Sequence, residues 1–235
     1  MKVKELILRQ ISDVLLVNGG FLSSPGLYTG EMGLVLFFAR YARYTQNDLY
    51  MDYAFGLIEK IQRRIHQDTP INYKHGLAGI GSAIEYIVQN SYFEADTDEI
   101  LEDFDQRIYF TYNIPYLPVE DTVDIWYYIH WRLSGNSRQK DKVRQFILPQ
   151  IEKAMRHHDT VMPAWPHLSR KDHAIVKDNQ IDTYLNNKEL GLQNGLAGWG
   201  LSLLTELDGD DSWTSLLPSN SKDAMSFKQT LINNL

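Results

Sequence analysis

The 235-residue sequence contains no cysteine. That excludes disulfides, thiolate nucleophiles and Cys-ligated zinc or iron–sulfur centres, and says little about compartment. A surplus of positive charge is missing too: 23 Lys and Arg stand against 30 Asp and Glu, a formal net charge of −7. Nucleic acid is therefore excluded as the main partner, because phosphate binding needs Lys and Arg in excess on one face. The local basic run Arg138, Lys140, Lys142 and Arg144 reads as a solvated helix face. Long apolar runs are also lacking. No stretch approaches about 18 uncharged apolar residues, so no membrane-spanning helix and no membrane partner are expected. Met1 to Val17 interleaves Lys2, Lys4, Glu5, Arg9 and Asp13 with apolar residues, which predicts an amphipathic helix rather than a signal peptide. The cytoplasm is the expected compartment.

What is present is enough apolar material for a sizeable core, 43% hydrophobic against 23% charged residues, and a repeat. Gly30-Glu31-Met32-Gly33, Gly76-Leu77-Ala78-Gly79 and Gly195-Leu196-Ala197-Gly198 each run into a long apolar stretch. One Gly-x-x-Gly is a weak signal, since small residues near a helix start simply permit close packing. Three followed by apolar runs are much stronger. The first two lie 46 positions apart, and one further step lands on Thr122, where Asp121 to Leu133 begins another apolar helix without glycines. That segment reads as a degenerate repeat.

Between these segments Leu49 to Ile65, Asp98 to Phe110 and Lys140 to Met155 carry apolar residues at helical spacing. They are candidate outer helices, and the Gly-started runs candidate inner ones. The breaks hold Ser23-Ser24-Pro25-Gly26, Asp68-Thr69-Pro70, Pro115 with Pro118, Ser134-Gly135-Asn136 and Asp208-Gly209-Asp210. Residues 159–190 form the longest irregular segment. The expectation is one all-α helical-hairpin repeat domain over residues 1–235, its inner-helix N-termini converging on one end. Unpaired N–H groups and the positive dipole end there favour an anionic or carbonyl-bearing ligand. The glycines suit either positive φ or close backbone approach.

Gly26-Leu27-Tyr28-Thr29-Gly30-Glu31-Met32-Gly33, His75-Gly76-Leu77-Ala78-Gly79-Ile80-Gly81 and Gly191-Leu192-Gln193-Asn194-Gly195-Leu196-Ala197-Gly198 together resemble the lanthionine synthetase C-like family. Its members are cyclase components that mature ribosomally made lanthipeptides. The resemblance implies an α/α toroid of inner and outer helices with a site at the inner-helix ends. The chain is short for a full seven-hairpin ring, with about four inner helices, so a smaller or incomplete ring is expected. Family cyclases hold zinc with two Cys and one His to activate a peptide thiol. If Lys74-His75-Gly76 occupies the family's Cys-His-Gly position, Lys74 stands where a thiolate should be, and an ammonium is no metal ligand at neutral pH. No metal and no cofactor are expected.

His75 directly precedes a Gly-started helix and is the first catalytic candidate, against a plainer reading in which it caps that helix. Glu31, Asp121 and Asp124 sit at helix starts, where they serve either as acid and base or as ordinary first-turn carboxylates. Of these, Glu31 and Asp124 join His75 as catalytic candidates. Tyr28, Tyr73, Trp126, Asn194 and Trp199 are substrate-binding candidates, though core packing is the plainer reading of Tyr28, Tyr73, Trp126, Tyr127, Tyr128, Trp131, Trp165 and Trp199. His157, His158, His167 and His173, with Asp159 and Asp172, match no helical metal-binding spacing and read as loop residues. The leading functional expectation is a lanthionine synthetase C-like protein without zinc cyclase activity that binds peptide or assists peptide modification, with a peptide or protein partner and self-association left open. The alternatives are an α/α-toroid hydrolase acting on carbohydrate through carboxylates at inner-helix starts, and a non-catalytic helical-repeat scaffold.

Overall fold

The computed structural model describes residues 3–110, 114–157, 189–193 and 195–217. Helix accounts for 73% of these, and none of them is in a strand. The all-α expectation holds. In chain order the helices are α1 (Val3–Asn18), α2 (Glu31–Thr45), α3 (Asp48–Arg64), α4 (Leu77–Gln89), α5 (Thr97–Ile100), α6 (Glu102–Phe110), α7 (Val119–Ser134), α8 (Lys140–Lys142), α9 (Leu148–His157) and α10 (Leu196–Asp208). The predicted helix over 98–110 is broken at Leu101, and the one over 140–155 carries a π turn at Val143–Ile147 between α8 and α9. Asp96 explains the early start of the first: its side chain accepts from the N–H groups of Asp98 and Glu99 and so caps α5. The predicted irregular segment at 159–190 lies almost entirely outside the described residues.

The chain divides into two compact units, residues 1–69 with 168–215 and residues 70–167 with 216–235. In the first, α2 is buried from Glu31 through Ala42, whereas its neighbour α3 buries only Ala54, Leu57 and Ile61. These are the inner and outer members of a hairpin, as the α/α-toroid-like reading expects. Gln46, in the left-handed region at φ 53°, ends α2, and the Asn47 side chain caps α3 by accepting from Leu49 N–H. The last Gly-started helix, α10, packs on α2 and on α1. Arg40 of α2 fastens that pair, donating to both carboxylate oxygens of Asp208 at 2.8 and 2.9 Å.

In the second unit α4 is buried from Leu77 through Ile87 and packs against α7 and α6, while α9 packs against α7. A single guanidinium ties these elements together. Arg132 of α7, 1% exposed, reaches Glu85 of α4 at 2.5 Å, Asp98 of α5 at 2.6 Å and Asp105 of α6 at 2.7 Å. Tyr128 donates to Asp105 at 2.7 Å, and Ser137 to Asp98 at 2.7 Å. Burial alone would raise the Asp98 carboxyl, but the Ser137 hydroxyl, the Arg138 N–H and Arg132 outweigh it and hold it down at about 2.

All three Gly-started helices begin with the same backbone clasp. The first two N–H groups of each helix bond to the carbonyls seven residues upstream. Glu31 and Met32 donate to Ser24 and Pro25 at 2.9 and 3.3 Å; Leu77 and Ala78 to Pro70 and Ile71 at 2.9 and 3.1 Å; Leu196 and Ala197 to Glu189 and Leu190 at 3.0 and 3.1 Å. A Cβ on Gly30, Gly76 or Gly195 would collide with the carbonyl oxygen of Ser24, Pro70 or Gly191. Their φ angles are −115°, −121° and −117°, so close approach of two backbones, not positive φ, requires glycine here. The clasp also corrects the expectation of unpaired N–H groups at these helix starts: the leading donors of each are already taken by the chain's own carbonyls.

Candidate functional site

Of the predicted site residues, Tyr28, Glu31 and Trp199 belong to the first unit and Tyr73, His75, Asp124 and Trp126 to the second. Asn194 lies outside the described residues, as do His158, Asp159, Trp165, His167, Asp172 and His173. Tyr28 is fully buried and Trp199 half-buried.

Glu31 opens α2 with its side chain fully buried. Two cations of α3 close on the carboxylate: Lys60 Nζ at 2.6 Å and Arg64 at 3.0 Å from Oε1. The same cations reach the turn after α1, Lys60 donating to Gly20 O and Arg64 to Leu22 O, the latter at 2.7 Å. Glu31 is thus the counter-ion of a clamp joining α2, α3 and that turn. Neither Lys60 nor Arg64 stood out in the sequence, where both read as the polar face of an outer helix.

In the second unit the clasp loop before α4 and the first turns of α7 meet at Asp124. This carboxyl is 5% exposed. Its Oδ2 accepts the Tyr73 N–H at 2.9 Å, while its Oδ1 is buried with no hydrogen-bond partner among the described residues. Burial pushes the carboxyl up to about 7, the charges of Asp121 and Glu120 push the same way, and the Tyr73 N–H and the Lys74 ammonium oppose them. Asp121, half-buried one turn earlier, is raised by burial and by Glu120. His75 is exposed, its N–H donating to the Asn72 side chain at 2.8 Å; desolvation of its ring and the Lys74 charge hold it below the ordinary histidine value. Tyr73 is fully buried, its hydroxyl donating to Leu216 O at 3.1 Å and its ring 5.6 Å from that of Tyr127. Trp126 is 5% exposed and belongs to the core. The structure therefore brings Tyr73 and Asp124 into direct contact, with Lys74 within electrostatic reach of both Asp124 and His75.

The first two of the three clasped helix starts lie in a stretch that is similar to a known family. Residues 23–114 match the family model described as lanthionine synthetase C-like protein. This stretch is a partial lanthionine synthetase C-like domain. It holds the first two Gly-started repeats, with Glu31 and His75. No curated protein and no solved structure matches the chain. The zinc of the family's cyclases does not fit the donors here. The chain has no thiol, and Lys74 and the clasped Gly76 flank His75. Among the described residues, moreover, no group of three His, Cys, Asp or Glu could share a metal ion. No helix among the described residues is long and apolar enough to cross a membrane.

Proposed function

We propose that this lanthionine synthetase C-like protein works without zinc, binding a peptide or assisting its modification at the surface where the start of α4 and the first turns of α7 meet. The reading is supported above all by Asp124. A carboxyl that ionises near neutrality, held by the backbone two residues before His75, is poised to exchange a proton or to accept a donor from a bound chain. His75 contributes an exposed imidazole at the same loop, and Tyr73 fixes the loop from within. In the first unit Glu31 is read as a residue of the fold, because Lys60 and Arg64 both pair with its Oε1. Tyr28 is fully buried and is left to the core, and a peptide contact of Trp199 or Asn194 in the first unit is a separate proposal, tested by substitution.

The deciding experiment measures binding of lanthipeptide-precursor peptides to the full chain by calorimetry, with and without a chelator, for the wild type, His75→Ala, Trp199→Ala and Asp124→Asn. Binding that survives chelation and weakens in the His75 and Asp124 variants supports the reading. Loss of binding on chelation, together with one zinc per chain by elemental analysis, overturns it. The hydrolase alternative draws on the same raised carboxyls, Asp121 and Asp124, which lie three residues apart on one face of α7. Turnover of an oligosaccharide that vanishes in Asp124→Asn, with affinity nearly unchanged, would favour it.

A further inference from the structure

Asp124, like Glu31, is a buried carboxylate with one oxygen engaged and one left without a donor, but where Glu31 meets two cations Asp124 meets two further carboxylates. One Asp124 oxygen accepts the Tyr73 N–H, and the other is buried with no donor among the described residues. A buried acceptor left unpaired costs free energy that a bound donor would recover. The charges around it narrow the donor's chemistry. Asp121 and Glu120 face Asp124 from its own helix, and Lys74 faces it from the loop before α4. Burial raises the Tyr73 phenol, and the Asp124 charge adds to that. Burial raises both the Asp124 and the Asp121 carboxyl, and the like charges beside them raise both further. A neutral donor would satisfy the orphan oxygen and leave that repulsion in place. A cation would relieve both. A metal ion is the weaker candidate, because no group of three ligating side chains converges among the described residues. His75 adds no competing charge, being held below its ordinary value and so neutral near pH 7.

We propose that Asp124 and Asp121, with Glu120 at the rim, form a recognition site for a primary ammonium group, carried by the bound peptide as a lysine side chain or as its amino terminus. An ammonium presents three donors and one positive charge, enough to pair Asp124 Oδ1 and still reach Asp121. Exposure falls along the three carboxylates from Glu120 through Asp121 to Asp124, so the negative charge leads inward from solvent. Among the described residues, the Lys74 ammonium is the charge that opposes a bound cation here. The inference deepens the peptide-binding reading and rests on it for the identity of the ligand, but the ammonium site itself is testable with a small amine.

The full chain is titrated by calorimetry with three synthetic versions of one peptide: lysine-bearing with a blocked amino terminus, lysine-free with a free amino terminus, and fully acetylated. One of the two charged forms should bind at least about tenfold more tightly than the acetylated form. Asp124→Asn, which keeps an acceptor for Tyr73, should erase that difference, and Lys74→Gln should enlarge it. The affinity should rise as Asp124 ionises through about pH 7. It then falls again above about pH 8 if the ammonium is an amino terminus, or holds to about pH 10 if it is a lysine. In parallel, n-butylammonium chloride is added while the Asp124 carboxyl is followed by carbon-13 NMR; saturable binding should move its titration to lower pH. Equal binding of all three peptides, with no response of Asp124 to the amine, overturns the ammonium site and leaves peptide binding standing. No peptide binding, with a clear response of Asp124 to the amine, retains the ammonium site and removes the peptide reading.

Discussion

Burial favours the protonated form of Asp124 in the folded chain, and the sign of its effect on stability follows. The folded value of about 7 lies above the ordinary 3.8, so between those values the folded state binds more protons than the unfolded one. Stability of the second unit then falls as pH rises from about 4 through about 7, by an amount on the order of 4 kcal/mol if the whole shift is expressed. Asp124→Asn removes that slope: urea unfolding at pH 4.5 and pH 8 should show the variant gaining on the wild type at the higher pH, and a constant difference would refute it. Asp98 acts in the opposite sense. Its depressed value, about 2, contributes stability above the ordinary carboxylate range that is lost as pH falls through 2.

At the scale of helices, Arg132 is what α4, α5, α6 and α7 share. Arg132→Met would leave Glu85 and Asp105 buried without their counter-ion and Asp98 with Arg138 alone, a loss of about 3–5 kcal/mol in urea unfolding. Arg132→Lys should recover only part of it, because one ammonium cannot span three carboxylates as a guanidinium fork does. The clasp gives a sharper contrast. Gly76→Ala drives a methyl into the Pro70 carbonyl and should cost about 2–3 kcal/mol, whereas Gly20→Ala meets nothing within 4 Å and should stay within about 0.5 kcal/mol of the wild type. The clasp glycines were legible in the sequence because a close backbone approach admits no other residue and so leaves a repeated letter. The clasp itself was not, since bonds from N–H to C=O write nothing in the side chains. Glu85 is the one charged residue of α4 and Arg132 the one arginine of α7, yet they are 47 residues apart, and neither periodicity nor spacing says which charge answers which. Glu31 and Asp124 were legible as carboxylates at helix starts. What separates them is the charge each meets, two cations of α3 for Glu31 and the carboxylates of Asp121 and Glu120 for Asp124, and the cations come from a helix distant in sequence.

Across the whole molecule, the first unit is discontinuous: α1, α2 and α3 come early in the chain, and α10, which packs on both α1 and α2, comes late. A chain ending after residue 188 should therefore lose the first unit's slow amide exchange in α1 and α2, read by hydrogen–deuterium mass spectrometry; protection unchanged from the full chain would show that the early helices stand alone. The second unit's early segment needs no such distant partner for its Arg132 cluster, all of whose members lie between Glu85 and Arg138. The same discontinuity sets a schedule during synthesis. Roughly 130 residues separate the end of α3 from the start of α10, and a ribosome adding about 5–20 residues per second takes roughly 7 to 26 seconds to cover them. For that interval the faces of α1 and α2 that α10 will cover are exposed on a nascent chain, the sort of apolar surface that a holding chaperone recognises.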